Sequence, residues 1–177
     1  MPITQLKSGE NELKVTRSLL GVLVLVSGSL LSEAGFAATL QTGSVIRLAD
    51  SYGTSGGGEF LATVVGGTSA DSFITFCMEK NEYFTPGQNL YVSSVSTEAR
   101  AGGIAGGNPD PISAQTAYLY TIFSAGTLGG YDYLNTGSAR IADANSLQKA
   151  FWYLEQEIPD TELDSQARTW VNAANTA

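Results

Sequence analysis

The pattern of apolar and polar residues predicts a β-rich segment over residues 38–100. Short runs of β-branched and aromatic side chains are separated there by glycine, which is typical of an antiparallel sheet or barrel. The runs that we expect to form strands are residues 44–48, 59–65, 72–78 and 89–95. The glycine-rich stretch 101–111 then predicts a loop that connects this half of the chain to the next.

Over residues 110–177 the apolar residues recur with a helical period instead. Asp110 is expected to cap a first helix with Pro111 at its first position, and this helix should run over residues 112–124. A longer helix is predicted over residues 138–158. Its core-facing stripe is formed by apolar residues at helical spacing, namely Leu147, Phe151, Leu154 and Ile158.

Pro159 is expected to end the long helix, because proline cannot continue the hydrogen-bonding pattern. A last helix should begin near Asp160 or Thr161. The fold class predicted from both halves is α+β, with a β-rich half followed by helices that pack on it. We expect residues 38–177 to form a single domain.

The first 37 residues have the character of a signal peptide. Basic residues precede an apolar run at residues 18–31, which is too short for a comfortable membrane span. Small residues at Gly35 and Ala37 predict cleavage after Ala37. An uncleaved N-terminal anchor is the alternative. No other apolar run is long enough to span a membrane, so we expect a secreted protein, extracellular or at the cell surface, without a span in the mature chain.

Charge and residue usage exclude several kinds of function. The net charge is −8 and the Lys and Arg residues form no cluster, which argues against nucleic acid as a partner. The chain has no histidine, so Ser-His-Asp and Cys-His catalysis and His-ligated metals are excluded. We therefore expect no enzyme with turnover, no metal site and no cofactor.

The single cysteine, Cys77, is the most informative residue of the chain. An exported protein with one cysteine cannot form an internal disulfide bond. The thiol is therefore either buried and inert, paired with another molecule, or chemically active.

A glutamine on the predicted long helix offers a partner for this thiol. Ala144, Gln148 and Trp152 are spaced four residues apart, so they lie along one line of the helix beside its core stripe. Gln148 is expected to point half inward, towards a seam between helix and sheet that Cys77 can also face. Attack of the Cys77 sulfur on the Gln148 carboxamide would form a thioester and release ammonia.

Together these segments resemble the thioester domains of bacterial surface adhesins. The resemblance covers roughly residues 73–157, although Leu147 stands where that family usually has threonine before the glutamine. The segments that carry it are Phe76-Cys77-Met78-Glu79, Pro86-Gly87, Thr116-Ala117-Tyr118-Leu119-Tyr120 and Leu147-Gln148-Lys149-Ala150-Phe151-Trp152. It implies a single-turnover Cys77–Gln148 thioester, supported by Trp152, Phe76 and Glu79, that attaches the protein covalently to an amine-bearing surface protein or a polyamine.

The same region is similar to secreted proteins of Gram-negative biofilm formers that end in a PEP-CTERM sorting tail. That similarity lies in Asn81-Glu82-Tyr83, Gly126-Thr127-Leu128 and Trp152-Tyr153-Leu154-Glu155. It implies delivery to the cell surface or to an extracellular polysaccharide matrix, in adhesion or biofilm formation. The sequence ends at Ala177 without such a tail, which leaves open a fragment, a truncated gene or a freely secreted relative.

Other interpretations of these residues remain. The chain could be a non-covalent matrix or filament subunit in which Cys77 is a buried free thiol. It could also be a carbohydrate-binding module that uses the loop Tyr131-Asp132-Tyr133. Gln115, on the first predicted helix, is a rival partner for Cys77. The carboxylates of Glu155 and Glu157 are expected to lie at a solvated helix end.

Overall fold

The protein combines an antiparallel β-sheet in its N-terminal half with helices packed on it, which confirms the predicted α+β class. A computed structural model describes residues 3–8, 19–23, 40–54, 56–99 and 104–177. The main strands are β1 (Ile3–Ser8), β2 (Leu19–Leu23), β3 (Val45–Thr54), β4 (Gly57–Val64), β5 (Ser72–Cys77) and β6 (Asn89–Ser96). They pair antiparallel in the closed order β1-β2-β5-β4-β3-β6.

Two of these strands lie within the segment predicted to be a signal peptide. β1 pairs with β6, and β2 pairs with the end of β5, where Val22 lies opposite Cys77. The predicted cleavage position after Ala37 lies outside the described residues. Cleavage there would remove β1 and β2 from the sheet and would leave β5 and β6 as its edges.

The first helix begins later than predicted. The short strand β8 (Asp110–Pro111) pairs with β7 (Glu98–Ala99), so Asp110 does not cap a helix. Helix α1 (Ala114–Ser124) is capped by Ser113, whose side-chain oxygen accepts a hydrogen bond from the Thr116 backbone N–H at 3.1 Å. Both Asp110 and Ser113 are suitable capping residues. Because Asp110 is held in the pairing with β7, Ser113 caps the helix instead.

The long helix also differs from its predicted bounds. Helix α2 (Ser138–Leu154) ends four residues before Ile158. The chain turns at Gln156, which adopts a left-handed conformation with φ 65°. Asp160–Glu162 forms a short 3₁₀ turn rather than the start of the last helix. Helix α3 (Ser165–Thr176) begins after Asp164, whose side chain caps it by accepting from the Ala167 N–H at 2.9 Å.

Among the side chains that the structure describes, the apolar core forms two clusters that meet at α2. One lies among the helices and includes Phe76, Phe151 and Trp170. The other lines the inner face of the sheet and includes Cys77 and Trp152. Since neighbouring residues of α2 pack into different clusters, this helix forms the seam between sheet and helices. No helix among the described residues is long and apolar enough to cross a membrane.

Candidate functional site

Cys77 and Gln148 lie side by side at this seam, where the end of β5 meets the middle of α2. Both are buried: Cys77 is 6% exposed and Gln148 is 1% exposed. Trp152, one helical turn after Gln148, is 8% exposed and belongs to the same side of the seam. The structure therefore brings together the two residues that the sequence suggested as a pair, with the predicted aromatic neighbour.

The carboxamide of Gln148 pairs with the backbone of Cys77 in both directions. Gln148 Nε2 donates to the Cys77 carbonyl oxygen at 2.7 Å, and the Cys77 N–H donates to Gln148 Oε1 at 3.1 Å. The N–H of Gly58 also donates to Oε1, at 3.4 Å. These hydrogen bonds fix the position and the orientation of the amide, as a polar side chain in the core requires.

Gly57, the first residue of β4, allows Gln148 and Trp152 to approach the sheet this closely. A Cβ atom at Gly57 would lie 2.7 Å from Gln148 Cγ and 2.8 Å from Trp152 Cη2, and φ there is +135°. The sequence alone predicts for this glycine only a place in the loop before a strand. Glycine in a strand often marks the close approach of another group. The glycine at this position was therefore the sequence signal from which the contact with α2 could have been predicted.

The tip of the β3–β4 hairpin is tied to α2 as well. Asn145 Oδ1 accepts a hydrogen bond from the Thr54 N–H at 3.0 Å. Asn145 lies three residues before Gln148, so this contact holds the hairpin over the same stretch of helix. No local sequence signal indicates this contact, because it joins residues 91 positions apart.

The environment of Cys77 keeps its thiol protonated at neutral pH. Burial raises the pKa of Cys77 to about 12, and the negative charge of Glu82 adds to this shift. A thiol with such a pKa contains almost no thiolate at neutral pH. Any reaction of the sulfur at this site therefore requires a group that removes its proton as the new bond forms.

A pocket of about 220 Å³ opens beside Cys77. Its charged lining consists of three carboxylates, from Asp50, Glu79 and Glu82, and one ammonium group, from Lys80. The Lys80 ammonium lies 2.8 Å from a carboxylate oxygen of Glu162, outside the pocket lining. The aromatic rings in the lining are those of Phe60, Tyr83, Phe84 and Trp152. The pocket is thus acidic and aromatic, and it borders the sulfur-bearing residue.

The predicted supporting residues separate into two groups. Trp152 and Glu79 line the pocket. Phe76 instead packs among the helices, with ring centroids 5.1 Å from those of Phe123 and Phe151. This follows from strand geometry, because successive side chains of a strand point to opposite faces. Gln115, the rival partner, lines a different pocket near Ile104.

The tyrosine loop proposed as a sugar-binding patch is largely part of the core. Tyr131 is 7% exposed, and its hydroxyl group donates to Glu59. The guanidinium of Arg140 binds both carboxylate oxygens of Glu59, at 2.9 and 3.0 Å. The hydroxyl group of Tyr133 donates to the Phe123 carbonyl oxygen at 2.9 Å. Tyr131 therefore offers no platform for a sugar.

The expectation that Glu155 and Glu157 lie at a solvated helix end was wrong. They are 4% and 2% exposed. Glu157 accepts backbone N–H bonds from Lys80 and Ile104, and Glu155 accepts from the hydroxyl group of Ser113 at 2.7 Å. Burial and these two carboxylates raise the pKa of Asp110 to about 6. Both glutamates thus fasten loops to the end of α2.

Among the described residues, no group of three or more Asp, Glu, Cys or His side chains could hold a metal ion. Comparisons with protein-family models, with curated proteins and with solved structures found no match to this chain.

Proposed function

We propose that Cys77 and Gln148 form an internal thioester, through which a secreted surface or matrix protein attaches covalently to amine groups of a partner. The observation that carries this proposal is the two-way hydrogen bonding of the Gln148 carboxamide to the Cys77 backbone, at 2.7 and 3.1 Å. It holds the electrophilic carbon beside the residue that bears the nucleophile. Groups held in contact in this way react with a high effective molarity.

The surroundings of the amide oxygen suit the charge that develops in this reaction. When the Cys77 sulfur attacks the carboxamide carbon, negative charge accumulates on Oε1. The N–H groups of Cys77 and Gly58 already point at that oxygen. Donors placed in advance around such an oxygen stabilise the transition state electrostatically. Collapse of the intermediate expels ammonia and leaves a carbonyl bonded to sulfur.

The pocket offers bases and shields the product. Glu79 and Glu82 line it together with Cys77, and in the proposed reaction one of these carboxylates accepts the thiol proton. Gln148 is almost completely buried, and exclusion of water slows hydrolysis of a thioester. An amine that enters the pocket would attack the carbonyl carbon, release the Cys77 thiol and remain bound to Gln148 through an amide.

Intact mass spectrometry of the purified protein tests this proposal. We expect a mass lighter by one ammonia, and a gain of one methylamine after incubation with that amine. Cys77→Ser and Gln148→Ala should abolish both changes. The matched control is Gln115→Ala, which removes a glutamine from the neighbouring helix α1 and should leave both intact. An unmodified mass in the wild-type protein would reject the thioester.

A second candidate is a non-covalent matrix or filament subunit in which Cys77 is a packing residue. The observation that favours it is the burial that raises the pKa of Cys77 to about 12. This candidate predicts an unmodified mass and one thiol that reacts with a thiol reagent only after unfolding. The thioester predicts no titratable thiol until an amine or hydroxide has opened it.

A further inference from the structure

The pocket beside Cys77 has the dimensions and the aromatic lining of a site for one sugar ring. Its volume of about 220 Å³ is below the range of pockets for drug-sized ligands. Tyr83 at its rim is 74% exposed, although large aromatic side chains are usually covered. The ring of Phe84 is held edge-on against Phe60, with centroids 4.9 Å apart. The pocket therefore presents fixed aromatic walls and one open aromatic face.

Trp152 adds a polar requirement to this pocket. Its side chain is 8% exposed and lines the pocket, yet within the described part of the chain its indole Nε1 has no hydrogen-bond partner. A buried donor without an acceptor is unfavourable, and most such groups in proteins are satisfied. An oxygen atom of a ligand would satisfy the indole N–H. A simple alkylammonium group has only donors and cannot supply one.

The carboxylates of the pocket restrict the kind of amine further. Asp50, Glu79 and Glu82 favour a cation, and the same charges raise the pKa of any amine that they bind. An amine must lose its proton before it can attack a carbonyl. Lysine, with an already high pKa, would be held in its unreactive form. Neighbouring hydroxyl and ether oxygens withdraw electrons from a sugar amine and lower its pKa, so it stays more reactive.

We propose that this pocket binds an amino sugar, so that the captured amine belongs to a polysaccharide with unacetylated amino groups. This inference rests on the thioester proposed above and specifies which amine it captures. The sugar nitrogen forms a bond to the Gln148 carbonyl carbon while the bond from that carbon to sulfur breaks. One proton passes from the nitrogen to the sulfur of Cys77. A sugar hydroxyl or ring oxygen accepts from Trp152, and the ring packs against Tyr83.

Competition between small amines tests the inference. The probes are the methyl glycoside of glucosamine and ethanolamine, which shares the neighbouring hydroxyl group but has no ring. Adduct formation is followed by intact mass. We expect the glycoside to react about tenfold faster, the upper end of what one neutral hydrogen bond, such as that from the Trp152 indole, provides. Equal rates for the two probes would overturn the inference, as would a faster reaction of an Nα-acetylated lysine ester, which keeps a free side-chain amine. Either result would remain compatible with the thioester.

Variants locate the preference in the pocket. Tyr83→Ala should remove most of the advantage of the glycoside over ethanolamine, because only the glycoside has a ring that packs against this side chain. The matched control is Tyr118→Ala, on α1, which does not line the pocket and should keep the preference. Loss of the preference in the control, or its survival in Tyr83→Ala, would contradict the proposal.

A non-covalent measurement tests the pocket even if no thioester forms. In ¹⁵N-labelled Cys77→Ala, the methyl glycoside should shift the indole N–H resonance of Trp152. Trp170 provides an internal control, because its Nε1 donates to the Gly129 carbonyl oxygen at 2.8 Å. The N-acetylated glycoside, which has no cation, should bind more weakly. An unchanged Trp152 resonance would reject the sugar site, whereas an unmodified wild-type mass would reject only the thioester.

Discussion

Replacing Gly57 with alanine is expected to destabilise the protein and to separate Gln148 from Cys77. The new methyl group would lie 2.7 Å from Gln148 Cγ and 2.8 Å from Trp152 Cη2, closer than Cβ atoms pack in proteins. The φ of +135° is also one that alanine rarely adopts. Backbone strain and overpacking of a core contact each cost about 1–3 kcal/mol. Together they predict a loss of about 2–6 kcal/mol in the free energy of unfolding.

Urea unfolding followed by circular dichroism measures this loss, and intact mass reports on the thioester in the same preparations. The matched control is Gly56→Ala, one residue earlier. A Cβ atom at Gly56 would meet no atom within 4 Å, and its φ is not in the left-handed region. We expect the control to change the free energy of unfolding by less than about 0.5 kcal/mol, as surface substitutions usually do.

Unfolding of Gly57→Ala at the same urea concentration as wild type would contradict the close approach of α2 to β4. If Gly57→Ala lost stability but still lost ammonia as efficiently as wild type, the close approach would stand. The role of this glycine in positioning Gln148 would then be wrong.

Two further predictions concern buried charges. Glu59→Gln should cost about 3 kcal/mol in urea unfolding, the lower end for a buried ion pair, because it leaves the half-buried Arg140 guanidinium without its anionic partner. Glu162→Gln breaks an exposed pair instead and should cost less than about 1 kcal/mol. The raised pKa of Asp110 means that the folded state favours its protonated form, so the contribution of Asp110 to stability should fall as the pH rises from 3.8 through about 6. Asp110→Asn should be more stable than wild type above that range and should gain nothing below it. Urea unfolding of both proteins at several pH values measures this difference. Two parallel curves of unfolding free energy against pH would contradict the prediction.

The sequence predicted the kinds of elements well because their signals are local. Leu147 and Phe151 have helical spacing, and both lie in α2 with no exposure. The end of that helix was missed because the local signal was Pro159. In the structure the chain already turns at Gln156, where Glu155 and Glu157 bond to loops distant in sequence. Contacts of this kind produce no periodic pattern in the sequence, so the end of the helix could not be predicted from them.

For the site, the sequence suggested which residues could react but not what surrounds them. Cys77 and Gln148 could be paired through a resemblance, although they are 71 positions apart. The place of Gly57 under Gln148 depends on the register between β3 and β4 and on the docking of α2. The same is true of Asp50, which reaches the pocket from the neighbouring strand. Such relationships are properties of the assembled layers, so no single segment encodes them.

The hydrogen bond from Gln148 Nε2 to the Cys77 carbonyl oxygen has a thermodynamic consequence for capture. In the proposed reaction that donor nitrogen would depart as ammonia, so closing the thioester would give up the 2.7 Å bond. An intramolecular hydrogen bond contributes about 1 kcal/mol. When an amine adds, the new amide again has an N–H at the same place and can restore the contact. The same backbone oxygen would therefore make formation of the thioester less favourable and capture of an amine more favourable.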